Sequence, residues 1–352
     1  MRQDVLKWTI ARYFEAIQQP LPASLPAAIT PDPKAEDWGT EQVVHDTTIE
    51  FWDAGVIVVE PKQPAGKDVV ISCGVHGNET APIELVRDIL QDILSGQLRV
   101  CQRVLFLFGN PLAMVNGTRF VDTNMNRLFS GAHQQGTSLE HQRAAQLEHY
   151  VTRFYRQSQR FHYDLHTAIR DSAFEKFVIY PFPHDNPYRK DQLTFLAECG
   201  IHTVLLNQAP TTTFSYYSVR THQANGFTVE LGKVQPFGEN DMSRFTDVDR
   251  MLRQLISQPS LQLPEFDPNR HQIFDVQRTI NRETDDFKLH FAENVANFTE
   301  FEVGYLLATD GSKEYRVEQA GERIIFPNAQ VEKGQRALLL VKPIALEQLK
   351  LV

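Results

Sequence analysis

Apolar positions along the middle of the chain alternate between two spacings. At 68–75 (DVVISCGV) and 103–108 (RVLFLF) they are continuous, the pattern of strands buried on both faces. Shorter runs at 161–165, 176–180, 203–206 and 226–231 predict further strands. Between them, 80–94 carries apolar residues at helical spacing, with Pro82 suited to a first turn. Thr137 and Glu140 have capping-box spacing and predict a helix to about 157. Asn186-Pro187 predicts the cap of a helix over 188–198, and 214–223 predicts a short helical piece. Strands alternating with helices predict an α/β fold: a mixed, mostly parallel sheet flanked by helices. From about 269 the texture changes to short alternating runs with turns, and Asp310-Gly311 marks a hairpin. Proline-rich stretches at 20–33 and 259–268 punctuate the chain. The expected organisation is an N-terminal arm (1–45), a catalytic domain (46–260) and a smaller C-terminal β-rich domain (261–352).

Charge narrows the partners. The 35 Lys and Arg against 44 Asp and Glu give a net charge of −9. That balance excludes a surface built for nucleic acid or an anionic membrane. It also requires local Arg or Lys wherever an anionic substrate binds. No apolar run is long enough to cross a bilayer, and the first twenty residues lack the apolar core of a signal peptide. Cys73, Cys101 and Cys199 are odd in number and widely spaced, which fits buried thiols in a reducing cytoplasm.

Three constellations carry candidate chemistry. His76-Gly77-Asn78-Glu79 follows a predicted strand and precedes a predicted helix. The H-x-x-E spacing lets two ligands meet one metal while Gly77 keeps the turn tight. A catalytic zinc site takes a third protein ligand, and His166, at the end of another strand, is the best candidate. Parallel neighbouring strands bring such ends together, and Asp164 is placed to orient an imidazole. The second is RFVDTNMNR, with Arg119, Asn126 and Arg127: either a solvated polar loop or a set of planar donors for carbonyl and carboxylate groups. The third is Glu230, hemmed by Phe227, Val229 and Leu231, whose pKa burial should raise into the range of a general base. Tyr216 and Arg220, four apart, share a helix face that is either structural or substrate-facing.

HGNET, DTNMNR, DLHT and TVELG, in this order, resemble the zinc carboxypeptidase superfamily, and within it the aspartoacylase/succinylglutamate desuccinylase branch. The likeness runs over roughly 45–345. It implies a zinc-carboxypeptidase-like sheet followed by a β-rich domain that narrows access to the site. It further implies one Zn²⁺ per subunit on His76, Glu79 and His166, with Glu230 as general base and proton shuttle. Arg119 would polarise the carbonyl, and Asn126 and Arg127 would hold a carboxylate of the amino-acid part. Arg220 would take a further carboxylate, with Tyr216 beside it. The expected substrate is a small anionic N-acyl amino acid. The expected reaction is hydrolysis of N-succinyl-L-glutamate to succinate and L-glutamate, the last step of the succinyltransferase route of arginine breakdown. An aspartoacylase-like deacylase or a zinc carboxypeptidase is the alternative. A non-catalytic relative should have lost a ligand or the base, and all four positions are filled.

Overall fold

Helix α1 (Val5–Ala16) opens the fold: Asp4 caps it, and Val5, Leu6, Trp8 and Ile10 are buried against the sheet core. The computed structural model describes residues 4–32 and 37–352; residues 1–3 and 33–36 of the expected N-terminal arm lie outside the described residues. Strands β1 (Glu41–Val44), β2 (Thr47–Asp53) and β3 (Val56–Pro61) form an antiparallel ladder. The continuous apolar runs follow as β4 (Lys67–Cys73) and β5 (Arg103–Phe108), with α2 (Thr80–Leu94) between them. After α3 (Pro111–Asn116) and α4 (Leu139–Phe154) come β6 (Gln159–Ala168), β7 (Phe177–Tyr180), α5 (Lys190–Glu198) and β8 (Thr203–Leu206). Then follow α6 (Phe214–His222), β9 (Asn225–Lys233) and α7 (Thr246–Ser257). The remainder holds β10 (Gln272–Asn281), β11 (Lys288–Leu289), β12 (Leu306–Asp310), β13 (Lys313–Arg316), β14 (Arg323–Ile325) and β15 (Arg336–Ile344).

The protein is a mixed α/β fold. Twelve strands form one sheet in the order β1-β2-β3-β5-β4-β6-β9-β7-β8-β10-β15-β14, and β11-β12-β13 form a small antiparallel sheet. At its centre β5, β4, β6 and β9 run parallel and almost wholly buried, because helices cover both faces. One face packs against α1, α2, α5 and α7; the other packs against α4 and α6. β10 pairs parallel with β8, so the central sheet continues past residue 260. A bridging cluster of Phe177, Leu205, Phe274, Phe298, Ile325, Leu339 and Val341 fills the junction. The Asp310-Gly311 hairpin forms as expected, between β12 and β13, with Gly311 at φ +59°.

Two helix starts differ from the sequence expectation. Ser138, not Thr137, caps α4, its hydroxyl accepting from the His141 N–H. Glu140 turns away from the capping role and is buried against the preceding loop at 121–123. Helix α5 begins at Lys190 because the backbone of Tyr188 is taken by residues 350–352. The three cysteines are free, with Cys73 and Cys199 buried.

Candidate metal and catalytic site

The site lies at the C-terminal ends of β4, β6 and β9, the edge where open α/β sheets bind ligands. The chain leaves β4 through Gly74 and Val75 and turns at His76-Gly77-Asn78-Glu79 into α2. A Cβ on Gly77 would stand 2.1 Å from the backbone of Ala113, so only glycine lets this turn lie against α3. Glu79 occupies the N-cap position of α2 yet makes no cap hydrogen bond with its side chain. Its carboxylate is instead free to face inward. In parallel register His166 of β6 stands beside Glu230 of β9.

The three side chains meet. Glu79 Oε1 lies 2.9 Å from His76 Nδ1, and Glu79 Oε2 lies 2.8 Å from His166 Nδ1. One donor atom from each of His76, Glu79 and His166 falls within 4.8 Å of the others, and all three residues are buried. The outer nitrogens are occupied: His76 Nε2 is 3.0 Å from Asn124 Oδ1 and His166 Nε2 is 2.9 Å from Asp164 Oδ2. Both outer partners are acceptors, so with a metal ion at the centre the protons would sit on Nε2 and leave the Nδ1 lone pairs for the ion. Asp164 is held in turn by the Ser72 hydroxyl at 2.5 Å. Two imidazole nitrogens and a carboxylate fit a metal ion with a position left open.

Without a metal the two histidines are held differently: burial works against the charged His166 ring, but the Asp164 and Glu79 carboxylates outweigh it and raise its pKa. Burial would raise the Glu79 pKa, but His76, His166 and Arg119 outweigh it and hold the carboxyl well below its usual range. Burial and then Arg119 push His76 down to about 4, leaving it neutral. Glu230 behaves oppositely. Burial, only partly offset by His166, raises it to about 7, and among the described residues its buried Oε2 has no hydrogen-bond partner. Glu230 can therefore both accept and return a proton near neutral pH.

Arg119 donates to Glu79 Oε1 at 2.6 Å, from a side chain 31% exposed. Asn126 is buried; its Oδ1 accepts from the Phe214 N–H and so ties the 124–127 turn to the start of α6. Arg127, half-buried, donates to the Asn126 carbonyl, and burial with Arg336 and Arg119 nearby lowers it to about 9. Glu140 shapes this loop: its buried carboxylate accepts from the N–H groups of Val121, Asp122 and Thr123 at 2.6, 2.9 and 2.8 Å. Among the described residues neither Tyr216 nor Arg220 has a hydrogen bond or ion pair to His76, Glu79, His166 or Glu230. Tyr216 is buried with its hydroxyl 3.1 Å from His184 Nε2, and Arg220 is exposed near the end of α6.

Sequence reasoning missed Asn124, Glu140 and Arg336. Asn124 was legible only as part of a polar loop, and Glu140 as a capping residue. Arg336 opens an apolar strand with no motif around it, so nothing in the sequence singles it out.

Residues 65–256 match the succinylglutamate desuccinylase/aspartoacylase catalytic domain, and 269–344 match the AstE/AspA barrel-sandwich hybrid domain. The chain is 53% identical over 331 residues to a succinylglutamate desuccinylase of Idiomarina loihiensis, covering 91% of this chain and 96% of that one. The crystal structure of a succinylglutamate desuccinylase from Chromobacterium violaceum superposes with a TM-score of 0.81 at 37% identity, over 97% of this chain and 98% of that one. Murine aminoacylase 3 shares the fold, with a TM-score of 0.56 at 19% identity over 80% of this chain and 96% of that one.

Proposed function

The chain belongs to the succinylglutamate desuccinylase/aspartoacylase family, and from that membership we propose that it is a zinc-dependent amidohydrolase cleaving N-succinyl-L-glutamate into succinate and L-glutamate. The observation that carries the reading is the buried, unbonded Glu230 oxygen beside the convergent His76, Glu79 and His166 donors. These three would hold one zinc ion, which when bound lowers the pKa of water and polarises the scissile carbonyl. Glu230 takes the proton from the attacking water and delivers it to the amide nitrogen as the C–N bond breaks. Burial lifts its pKa in the metal-free site, which favours return of the proton, and a bound cation beside it would draw the pKa down toward that of a base. Arg119 donates to the oxygen on which negative charge develops. Asn126 and Arg127 hold a carboxylate of the glutamate part; Arg127 does so with a planar fork that a lysine cannot copy. The reaction would close the succinyltransferase route of arginine breakdown in the cytoplasm. Among the described residues no helix is long and apolar enough to cross a membrane. The partner is then a small anionic substrate rather than nucleic acid or lipid.

Metal analysis with substrate comparison tests the proposal. Purified protein should carry about one zinc per chain, following the three-ligand open-site pattern. It should hydrolyse N-succinylglutamate far faster than N-acetylaspartate or N-acetylglutamate. His166→Ala should lose metal and activity together. Glu230→Gln should keep the metal while kcat falls at least about 10²-fold, the scale of a lost general base. Equal turnover of succinyl and acetyl compounds rejects the desuccinylase in favour of a broader acylase. A metal-replete, inactive His166→Ala rejects the ligand set.

A further inference from the structure

Three guanidinium groups stand at the site, and among the described residues only one is ion-paired to a carboxylate. Arg119 takes Glu79. Arg127 has a single carbonyl contact, to Asn126. Arg336 has no hydrogen-bonded or ion-paired partner among the described residues, and its Nε is buried without one. Its one contact of note is the Phe326 ring, whose centroid lies 5.3 Å from the guanidinium carbon.

The fold places Arg336 deliberately. It is the first residue of β15, in register with Asn281 of β10. Its platform, Phe326, follows β14 and adopts φ +53°, a left-handed backbone that a bulky residue keeps only when its surroundings impose it. Asn297 Oδ1 accepts from the Phe326 N–H at 2.8 Å, and Arg170, four residues beyond His166, donates to the Pro327 carbonyl at 2.9 Å. The Phe326 ring lies 5.8 Å from that of Phe177, and Phe177 is the register partner of Glu230. Strand register and two ring contacts thus connect the strand of the proposed base to Arg336.

Unpaired like charges in a partly buried site are costly until anions arrive, and a planar fork fits a carboxylate. We infer that Arg336, supplied by the C-terminal strands, receives the acyl-side carboxylate of the substrate and so sets the preference for a succinyl over an acetyl group; this rests on the desuccinylase reading above. Arg127 with Asn126 serves the amino-acid end, Arg119 the carbonyl, and Arg336 is the guanidinium left for the third position.

Product inhibition separates the two ends of the substrate. The comparison uses wild type, Arg336→Gln and Arg336→Lys, each checked for metal content and Tm. With Arg336→Gln, kcat/KM for N-succinylglutamate should fall about 10²-fold, as for loss of a charge-assisted hydrogen bond. The inhibition constant of succinate should rise at least about tenfold by the same reasoning while that of glutamate stays put. Arg336→Lys, which keeps the charge and loses the fork, should fall between. A rise for glutamate with none for succinate moves Arg336 to the amino-acid end and overturns the inference. So does unchanged inhibition by both, or a loss of metal and Tm without a change in their ratio. If wild type fails to cleave N-succinylglutamate, the desuccinylase reading itself falls and takes this inference with it.

Discussion

His162 shows how strongly one buried ring can tie stability to pH. It is fully buried on β6, its Nε2 2.8 Å from the Ser72 hydroxyl and its Nδ1 2.7 Å from the Ser218 hydroxyl. Burial pushes its pKa down to about 4, with Asp164 only partly opposing. An unfolded histidine titrates near 6.5, so below that pH the unfolded chain takes a proton that the folded chain refuses. The stability is therefore complete above about pH 6.5 and is lost progressively as the pH falls to about 4. At about 1.4 kcal/mol per pKa unit, this one ring should cost the fold about 3 kcal/mol across the window. Urea denaturation at pH 7 and pH 4.5 measures it. His162→Gln, which can still donate to one serine and accept from the other, should be less stable than wild type at pH 7. It should also show a flatter loss toward acid. Parallel pH slopes would mean that the acid sensitivity arises elsewhere.

At the scale of elements, the loop at 119–127 owes its shape to a residue outside it. Glu140, in the first turn of α4, accepts three consecutive backbone N–H groups and the side-chain amide of Asn110. Glu140→Gln keeps the volume but turns an amide toward those N–H groups. Each buried donor left unsatisfied costs about 1–3 kcal/mol. We expect a fall in Tm, a rise in KM because Arg127 is displaced, and a fall in kcat because Arg119 in the same loop shifts with it, while metal content is unchanged. Thermal melts with steady-state kinetics would show it; an unchanged KM would mean the loop holds its shape unaided. The same residue marks where the sequence was legible and where it was not. The helix at Thr80–Leu94 and the strand at Arg103–Phe108 were readable to the residue, since burial of a whole face writes a periodic pattern. His76, Glu79, His166 and Glu230 were readable as strand-end residues with ligand or base chemistry. Glu140 was readable only locally, as half of a capping box, because its partners lie 17 to 30 residues away. Arg336 was not readable: its meaning depends on a register between β15 and β10 and on the Phe326 turn, neither of which leaves a trace in local spacing.

For the whole molecule, the continuity of the central sheet outweighs the boundary between its two matched segments. The β8–β10 pairing and the aromatic cluster around Phe177, Phe274 and Phe298 join them. We expect one unfolding transition, with near- and far-ultraviolet circular dichroism melting together. Two separated steps would show that the C-terminal strands unfold on their own. In register, His166, Glu230, Phe177, Thr203 and Gln272 form a single row across five strands, from one proposed metal ligand to the C-terminal segment. In deuterium exchange that row should be among the last parts of the chain to take up label. The proposed base would thus be seated where the molecule breathes least, leaving the motion that admits substrate and frees products to the loops around it.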